Sequence, residues 1–128
     1  MTIHQDVTIA AKPAEVYAVL TKSERFTSMS GREAAISTEA GGPISLFGGH
    51  ILGRNIELVP GKRVVQAWRS KEWPEGVYSI VRFELTADGN GTKIAFDQAG
   101  YPADAQTHLD DGWHKMYWTP MQAALGQS

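Results

Sequence analysis

The sequence predicts an α+β fold in which a curved antiparallel sheet of about six or seven strands wraps around a long C-terminal helix. Three observations lead to this fold class. Residues 2–9 alternate apolar and polar side chains, a pattern typical of a half-buried strand. Between residues 33 and 99, short apolar segments are separated by turns rich in glycine and proline, which favours an antiparallel meander. From residue 104 onward the apolar residues recur at helical spacing.

Two short helices are predicted directly after the first strand. Pro13 suits the first turn of a helix that continues to Leu20. A second helix begins near Ser23, which resembles a capping residue, and Gly31 is expected to end it.

The middle of the chain is expected to supply the other strands. They are predicted at 33–39, 43–47, 50–59, 62–69, 77–87 and 92–99. The sequence Asp-Gly-Asn-Gly at 88–91 lies between two apolar segments and indicates a tight hairpin. The alternation in 77–87 and 92–99 predicts one buried and one solvated face. In 50–59 both sets of alternate residues mix apolar and polar side chains, so the sequence does not show which face of that strand is buried.

The final 25 residues are predicted to form an amphipathic helix that covers the apolar face of the sheet. Its apolar residues fall on one broad stripe: Leu109, Trp113, Met116, Tyr117, Pro120, Met121 and Ala124. At about 100° per residue, Trp118 is expected to point to the opposite side. Pro120 lacks the N–H that would bond to the Met116 carbonyl, so a kink is expected there.

Composition limits the possible functions. A length of 128 residues suits a single domain over 1–128, and a net charge of −2 argues against a broad nucleic-acid surface. No apolar run reaches the length of a membrane span, and the N-terminus lacks the features of a signal peptide. The absence of cysteine excludes disulfides and zinc–thiolate sites. A cytoplasmic protein without membrane or nucleic-acid partners is expected, as a monomer or a homodimer.

Sequence patterns give no positive sign of catalysis. The four histidines lack the spacing of metal ligands, and no nucleophile elbow or phosphate-binding loop is present. We therefore expect no catalytic residue, no metal and no cofactor.

The stretch from Trp68 to Gly76 contains two tryptophans with charged residues between and beside them. A plain turn does not need two large aromatic side chains. Trp68 is expected to be a core residue or the wall of a pocket. Trp73 is expected either to pack on the sheet edge or to contact a partner, with Arg69 or Lys71 stacked on it.

Several motifs resemble the C-terminal domain of the activator of the heat-shock-protein-90 ATPase, within the helix-grip, START-like (SRPBCC) superfamily. They are Gly41-Gly42, Gly53-x-x-x-Glu57-Leu58-Val59-Pro60, Val64-Val65-x-x-Trp68-Arg69, Trp73-Pro74-Glu75-Gly76 and Gly112-Trp113-x-x-x-Tyr117. The resemblance spans about residues 5–125. It implies a helix-grip fold and a non-enzymatic homologue of the activator, with a co-chaperone-like or stress-related role and a heat-shock chaperone as partner.

Two sets of site residues accompany these hypotheses. A partner-binding loop would consist of Arg69, Lys71, Trp73 and Glu75. The alternative function is binding or transport of a small hydrophobic ligand between the sheet and the C-terminal helix, in a cavity lined by Gln66, Trp68, Phe83, Phe96, Gln98, Trp113, Met116 and Tyr117. A third hypothesis is a cyclase- or hydrolase-like enzyme in that cavity.

Overall fold

The fold is taken from a computed structural model, which describes residues 2–125. In chain order its elements are β1 (Thr2–Ile9), α1 (Pro13–Thr21), α2 (Ser23–Ser30), β2 (Ala35–Ile36), β3 (Pro43–Leu46), a 3₁₀ turn (Phe47–Gly49), β4 (Ile51–Val59), β5 (Arg63–Ser70), β6 (Ser79–Asp88), β7 (Gly91–Ala99), a 3₁₀ turn (Ala103–Ala105), α3 (Gln106–Trp113), a π turn (His114–Trp118) and α4 (Thr119–Leu125). We call residues 106–125 the C-terminal helix.

The seven strands form one antiparallel sheet in the order β1-β7-β6-β5-β4-β3-β2. Strands β2 to β7 follow one another as a meander, and β1 completes the sheet beside β7. The predicted α+β class, the two short helices after β1 and the C-terminal helix are all confirmed. In the predicted hairpin, Asp88 pairs with Gly91 and Gly89 has a φ of 62°, which suits glycine.

The segment predicted as strand 33–39 is a strand only at Ala35–Ile36. The reason is that its backbone is held by side chains of α2. The Ile36 N–H donates to the Ser23 hydroxyl at 2.8 Å, and the Ala34 N–H donates to the Thr27 hydroxyl at 3.0 Å. Ser23 therefore does not cap α2 through its side chain, as the sequence had suggested. Gly31 does end this helix, in the left-handed conformation with a φ of 74°.

A bulge in β4 explains why its parity is mixed. The pairing with β5 shifts register between Asn55 and Glu57, which leaves Ile56 as the extra residue, 47% exposed. Before the bulge Ile51 and Asn55 are buried, and after it the inward residue is Leu58. Because of the inserted residue, odd-numbered residues face the core before the bulge and even-numbered residues face it afterwards.

The C-terminal helix contains a π turn, and three expectations about its side chains are wrong. The Thr119 N–H bonds to the His114 carbonyl, five residues back, so residues five apart become neighbours. Trp118 consequently lies on the same side as Trp113 and is 1% exposed, whereas the α-helical phase had placed it outside. Met116 turns outward and is 40% exposed. Ala124, also expected on the inner stripe, is exposed.

Candidate functional site

Aromatic rings fill most of the space between the sheet and the C-terminal helix. Phe96 of β7 lies with its ring centroid 4.2 Å from that of Trp113 and 5.4 Å from that of Trp118. Phe83 of β6 completes the cluster, 5.2 Å from Phe96. All four side chains are at most 2% exposed. Around Phe96, where β6 and β7 face the C-terminal helix, the aromatic side chains form a packed core.

Glutamine amides of the sheet hold two indoles of the C-terminal helix. Trp113 Nε1 donates to Gln98 Oε1 at 2.7 Å, and Gln98 Nε2 donates to the Ser79 hydroxyl at 3.0 Å. Trp118 Nε1 donates to Gln5 Oε1 at 2.6 Å. Since buried polar groups need partners, these bonds fix the helix on the sheet. The sequence placed Gln5 on the buried parity of β1 but did not reveal its contact with Trp118.

Gln66, the other predicted inward amide, is also buried and donates to Asn55 Oδ1 at 3.3 Å. Asn55 Nδ2 in turn donates to the Ser37 carbonyl at 2.7 Å. Both predicted amides therefore make side-chain hydrogen bonds within the protein.

An open cleft of about 770 Å³ lies at the other end of the C-terminal helix. Its buried wall is formed by Phe47, Trp68, Trp113 and Tyr117, each at most 5% exposed. The cleft lies between the 3₁₀ turn after β3, the β5–β6 loop (71–78) and the first half of the C-terminal helix. It combines an aromatic wall with access from solvent, as ligand and partner sites do.

Two side chains bring apolar surface to the cleft from its accessible side. Met116 is 40% exposed because the π turn directs it outward. Trp73 is half-buried, and its ring centroid lies 5.9 Å from that of Trp68. The β5–β6 loop therefore folds back, so that Trp73 packs on the core and still lines the cleft.

Phe47 contributes a strained wall to the cleft. Its φ is 52°, a left-handed value that is uncommon for a bulky side chain. Gly48 and Gly49 continue the turn with φ of 66° and 93°. The ring of Phe47 is held edge-on against Phe26 and Tyr117, at 5.3 Å and 5.7 Å. Strain of this kind persists where surrounding packing enforces it, often at functional sites. Hydrophobic patterning did not identify Phe47 as a site residue, although the glycine pair after it signals an unusual turn.

Tyr117 belongs to the cleft wall, and its hydroxyl group is buried beside Trp68. Trp68 Nε1 donates to this oxygen at 3.4 Å. Burial raises the pKa of Tyr117 above its ordinary value of 10.0, and the bond from Trp68 offsets this only in part, so the hydroxyl is protonated at neutral pH. Among residues 2–125, the hydrogen bonds of this hydroxyl are limited to the one that it accepts from Trp68. The hydroxyl therefore keeps its own hydrogen as an unused donor.

Charges of both signs surround the cleft. Its lining includes two histidines, three basic and three acidic residues: His50, His108, Arg32, Lys71, Lys115, Glu72, Asp104 and Asp111. Lys115 and Asp111 form an exposed ion pair at 3.0 Å. Such a mixed rim gives the cleft polar contacts without a strong preference for one charge.

The structure divides the predicted cavity residues into two groups. Four of them line the cleft: Trp68, Trp113, Met116 and Tyr117. The other four are core residues outside its lining: Gln66, Phe83, Phe96 and Gln98. Phe83 and Phe96 nevertheless adjoin the cleft wall, because the ring of each contacts that of Trp113.

The predicted partner loop is divided as well. Lys71 and Trp73 line the cleft, whereas Arg69 and Glu75 do not. The sequence suggested that Arg69 or Lys71 stacks on Trp73, but the cation–π contact of Arg69 is with Tyr78. Its Nη2 donates to the Trp73 carbonyl at 2.7 Å, and its guanidinium lies over the ring of Tyr78, 5.6 Å from the centroid. The residue thereby holds the loop in its folded-back form.

Within residues 2–125, no three His, Cys, Asp or Glu side chains come together to hold a metal ion. In the same part of the chain, no helix has both the length and the apolar character needed to cross a bilayer.

Solved structures share this architecture. An HSP90 activator from Plasmodium falciparum superposes with a TM-score of 0.92 at 25% identity, covering 98% of this chain and 96% of that one. The Aha1 dimer from Colwellia psychrerythraea gives a TM-score of 0.80 at 20% identity, covering 96% and 95%. The second likeness concerns the fold alone.

Sequence comparison agrees. The mouse activator of 90 kDa heat shock protein ATPase homolog 1 is 27% identical over 119 residues, which are 93% of this chain and 35% of that protein. The chain thus spans about a third of the length of this relative. The family model of activator of Hsp90 ATPase homolog 1-like proteins matches residues 10–126, nearly the whole chain, and the chain therefore belongs to that family.

Proposed function

We propose that this protein is a non-enzymatic, co-chaperone-like homologue that binds a chaperone of the Hsp90 class. The observation that carries the proposal is the open aromatic cleft in a member of an activator family. In this proposal the cleft accepts an apolar side chain of the chaperone, and the β5–β6 loop forms one side of the contact.

The chemistry of the cleft suits a protein partner. Met116 and Trp73 lie where a partner can reach them, and Trp is enriched among the residues that contribute most to protein interfaces. A flexible methionine adapts to irregular apolar surfaces. The mixed charges around the cleft match the polar rim of such contacts.

The first test measures binding of the purified chain to an Hsp90-class chaperone by calorimetry. A parallel assay measures the ATPase rate of the chaperone with and without the chain. Because the chain spans only about a third of its mouse relative, binding and stimulation are measured separately. Saturable binding supports the proposal, and stimulation extends it to activation. Absence of binding at high concentration of both proteins contradicts it.

Trp73→Ala sharpens this test. Loss of the half-buried ring should weaken chaperone binding about tenfold or more, as truncation of an interface anchor does. It should lower the free energy of unfolding by only about 1 kcal/mol, since part of the ring is already in water. Calorimetry and urea unfolding measure the two effects.

The matched control is Ile56→Ala, at an exposed apolar side chain outside the cleft. It should leave chaperone binding within about twofold of the unmodified protein. If Trp73→Ala costs several kcal/mol of stability, or if both variants weaken binding equally, Trp73 is a structural residue and not the anchor.

A small hydrophobic ligand is the second candidate occupant of the cleft. The observation that favours it is the protonated Tyr117 hydroxyl, whose hydrogen no residue among 2–125 accepts. A ligand with an apolar body and one acceptor atom would satisfy it. Native mass spectrometry of the freshly purified protein tests this candidate by revealing a co-purifying molecule. Tyr117→Phe should reduce the retained fraction, and an empty protein with no such mass opposes the candidate.

A further inference from the structure

The outer face of the sheet, which faces away from the helices, carries exposed apolar side chains around a hollow. Leu52, Tyr78 and Ile80 are 39%, 49% and 45% exposed. Leu52 and Tyr78 line a hollow of about 520 Å³ together with Pro43 and Ala67, and Ile80 pairs with Ala67 in the sheet. Contiguous exposed apolar surface on a folded domain often marks an interaction site.

Two arginines flank this hollow. Arg54 lines it and pairs with Ala67 across the sheet. Arg69 pairs with Leu52, and its guanidinium lies over the ring of Tyr78. The apolar surface and both cationic groups therefore form one patch, which we call the outer patch (Leu52, Arg54, Ala67, Arg69, Tyr78 and Ile80).

The outer patch differs from the rest of the same face in how its arginines are paired. Arg63 contacts the carboxylates of Glu84 and Glu57, and Arg82 contacts that of Asp97. Arg54 and Arg69 instead donate to backbone carbonyls. Arg54 bonds to Gly41, and Arg69 bonds to Ser70 and Trp73. Within residues 2–125, no carboxylate lies within 4.0 Å of either group.

These hydrogen bonds orient the two guanidinium groups and leave donors unused. A guanidinium has five N–H donors in a fixed fork, of which Arg54 uses one for the Gly41 carbonyl. A neutral carbonyl compensates no charge. Each group is thus held in place with the capacity to bind a carboxylate.

We propose that the outer patch binds an acidic protein segment that carries an apolar side chain between its carboxylates. The apolar side chain would occupy the hollow, and the carboxylates would meet Arg54 and Arg69. A second copy bound by the same patch is disfavoured, because symmetric contact would bring the arginines of both copies together. None of the outer-patch residues lines the cleft, and a test with an acidic peptide alone examines this site without the chaperone.

The test uses the ¹⁵N-labelled protein and a short synthetic peptide in which aspartates and glutamates flank leucine and phenylalanine. The expected result is saturable change in the amide signals of residues 52–54, 67–69 and 78–80. The matched peptide with asparagine and glutamine in place of the acids should bind at least about tenfold more weakly, because the charge-assisted bonds are lost. No change at millimolar acidic peptide, or equal binding of both peptides, overturns the proposal.

Three variants locate the binding. Arg54→Gln and Leu52→Ser should each weaken binding of the acidic peptide about tenfold. Arg82→Gln, at a paired arginine on the same face, should change the affinity less than about twofold. The ¹⁵N spectrum of each variant verifies the fold. Equal loss in the Arg82 variant indicates nonspecific attraction and overturns the assignment. So does concentration-dependent dimerisation in sedimentation that Arg54→Gln abolishes, since the occupant is then a second copy.

Discussion

The two faces of the sheet use polar side chains in opposite ways. On the inner face, Gln98 and Gln5 are buried and each accepts a hydrogen bond from an indole of the C-terminal helix. On the outer face, His4, Arg82 and Asp97 form an exposed network across β1, β7 and β6. The distances are similar, 2.6–2.7 Å inside and 2.7–3.0 Å outside. Because water competes for the outer groups only, equal geometry does not imply equal stabilisation.

The inner face should respond most strongly to loss of an aromatic side chain. Trp118→Ala removes a ring that contacts Phe83 and Phe96 and leaves Gln5 Oε1 without its donor. The expected loss is about 3–5 kcal/mol in the free energy of unfolding, from cavity formation and the unpaired amide. Urea unfolding followed by circular dichroism measures it.

Met116→Ala is the control from the same helix, because Met116 is 40% exposed. It should cost less than about 1 kcal/mol. A larger loss of stability in Met116→Ala than in Trp118→Ala would support an uninterrupted α-helix and contradict the π turn.

The inner polar contacts should rank next. Gln98→Met keeps the approximate volume but leaves Trp113 Nε1 without an acceptor and removes the donor to Ser79. We expect a loss of about 1–3 kcal/mol, the cost of buried groups without partners. Arg82→Met, which removes an outer ion pair with Asp97, should cost no more than about 1 kcal/mol. Equal losses in urea unfolding would show that the two faces do not differ as described.

The same difference between the faces explains how much of the fold the sequence predicts. Alternation in residues 2–9 and around Phe83 and Phe96 identifies strands, because a residue that faces the core must be apolar or fully paired. The turn at Gly89 defines the β6–β7 hairpin. Patterning is strong wherever one face is dry and the other wet.

Patterning fails where one residue is inserted into a regular element. The bulge at Ile56 exchanges the faces of β4, and the π turn before Thr119 exchanges Met116 and Trp118. In both places the residue types suit either assignment of the buried face, so hydrophobicity alone does not determine which residues face the core. Pro120, which cannot donate to the Met116 carbonyl, was the available signal of irregular hydrogen bonding in this part of the helix.

The sequence predicted several residues of the cleft wall, but it did not predict how far the cleft extends. Trp68, Trp113 and Tyr117 were expected near a cavity, and they do line the cleft. Phe47 was missed because its position depends on a left-handed backbone that a phenylalanine rarely adopts. Which aromatic side chains reach the cleft depends on helix phase and loop folding, and these are tertiary properties.

The smallest expected effect lies on the outer face, at His4. Its Nδ1 lies 2.7 Å from Asp97 Oδ1 and its Nε2 lies 3.2 Å from Asp6 Oδ2. The hydrogen bond to Asp97, with a smaller contribution from Asp6, raises the pKa of His4 above 6.5. Burial alone would raise the pKa of Asp97, but the bonds from His4 and Arg82 hold it below its ordinary value. An NMR titration of the His4 ring should therefore have its midpoint above 6.5.

The sign of the linked stability follows from this shift. Because the folded protein binds the His4 proton more tightly than the unfolded chain, the contribution is complete below about pH 6.5 and disappears as pH rises through the folded pKa. Asp97→Asn should move the His4 midpoint down further than Asp6→Asn does, since Asp97 makes the shorter bond. A midpoint at or below 6.5 in the unmodified protein would mean that water has replaced these contacts. Even the best-formed outer network would then be too weak to hold a proton, which would make the difference between the two faces larger than proposed.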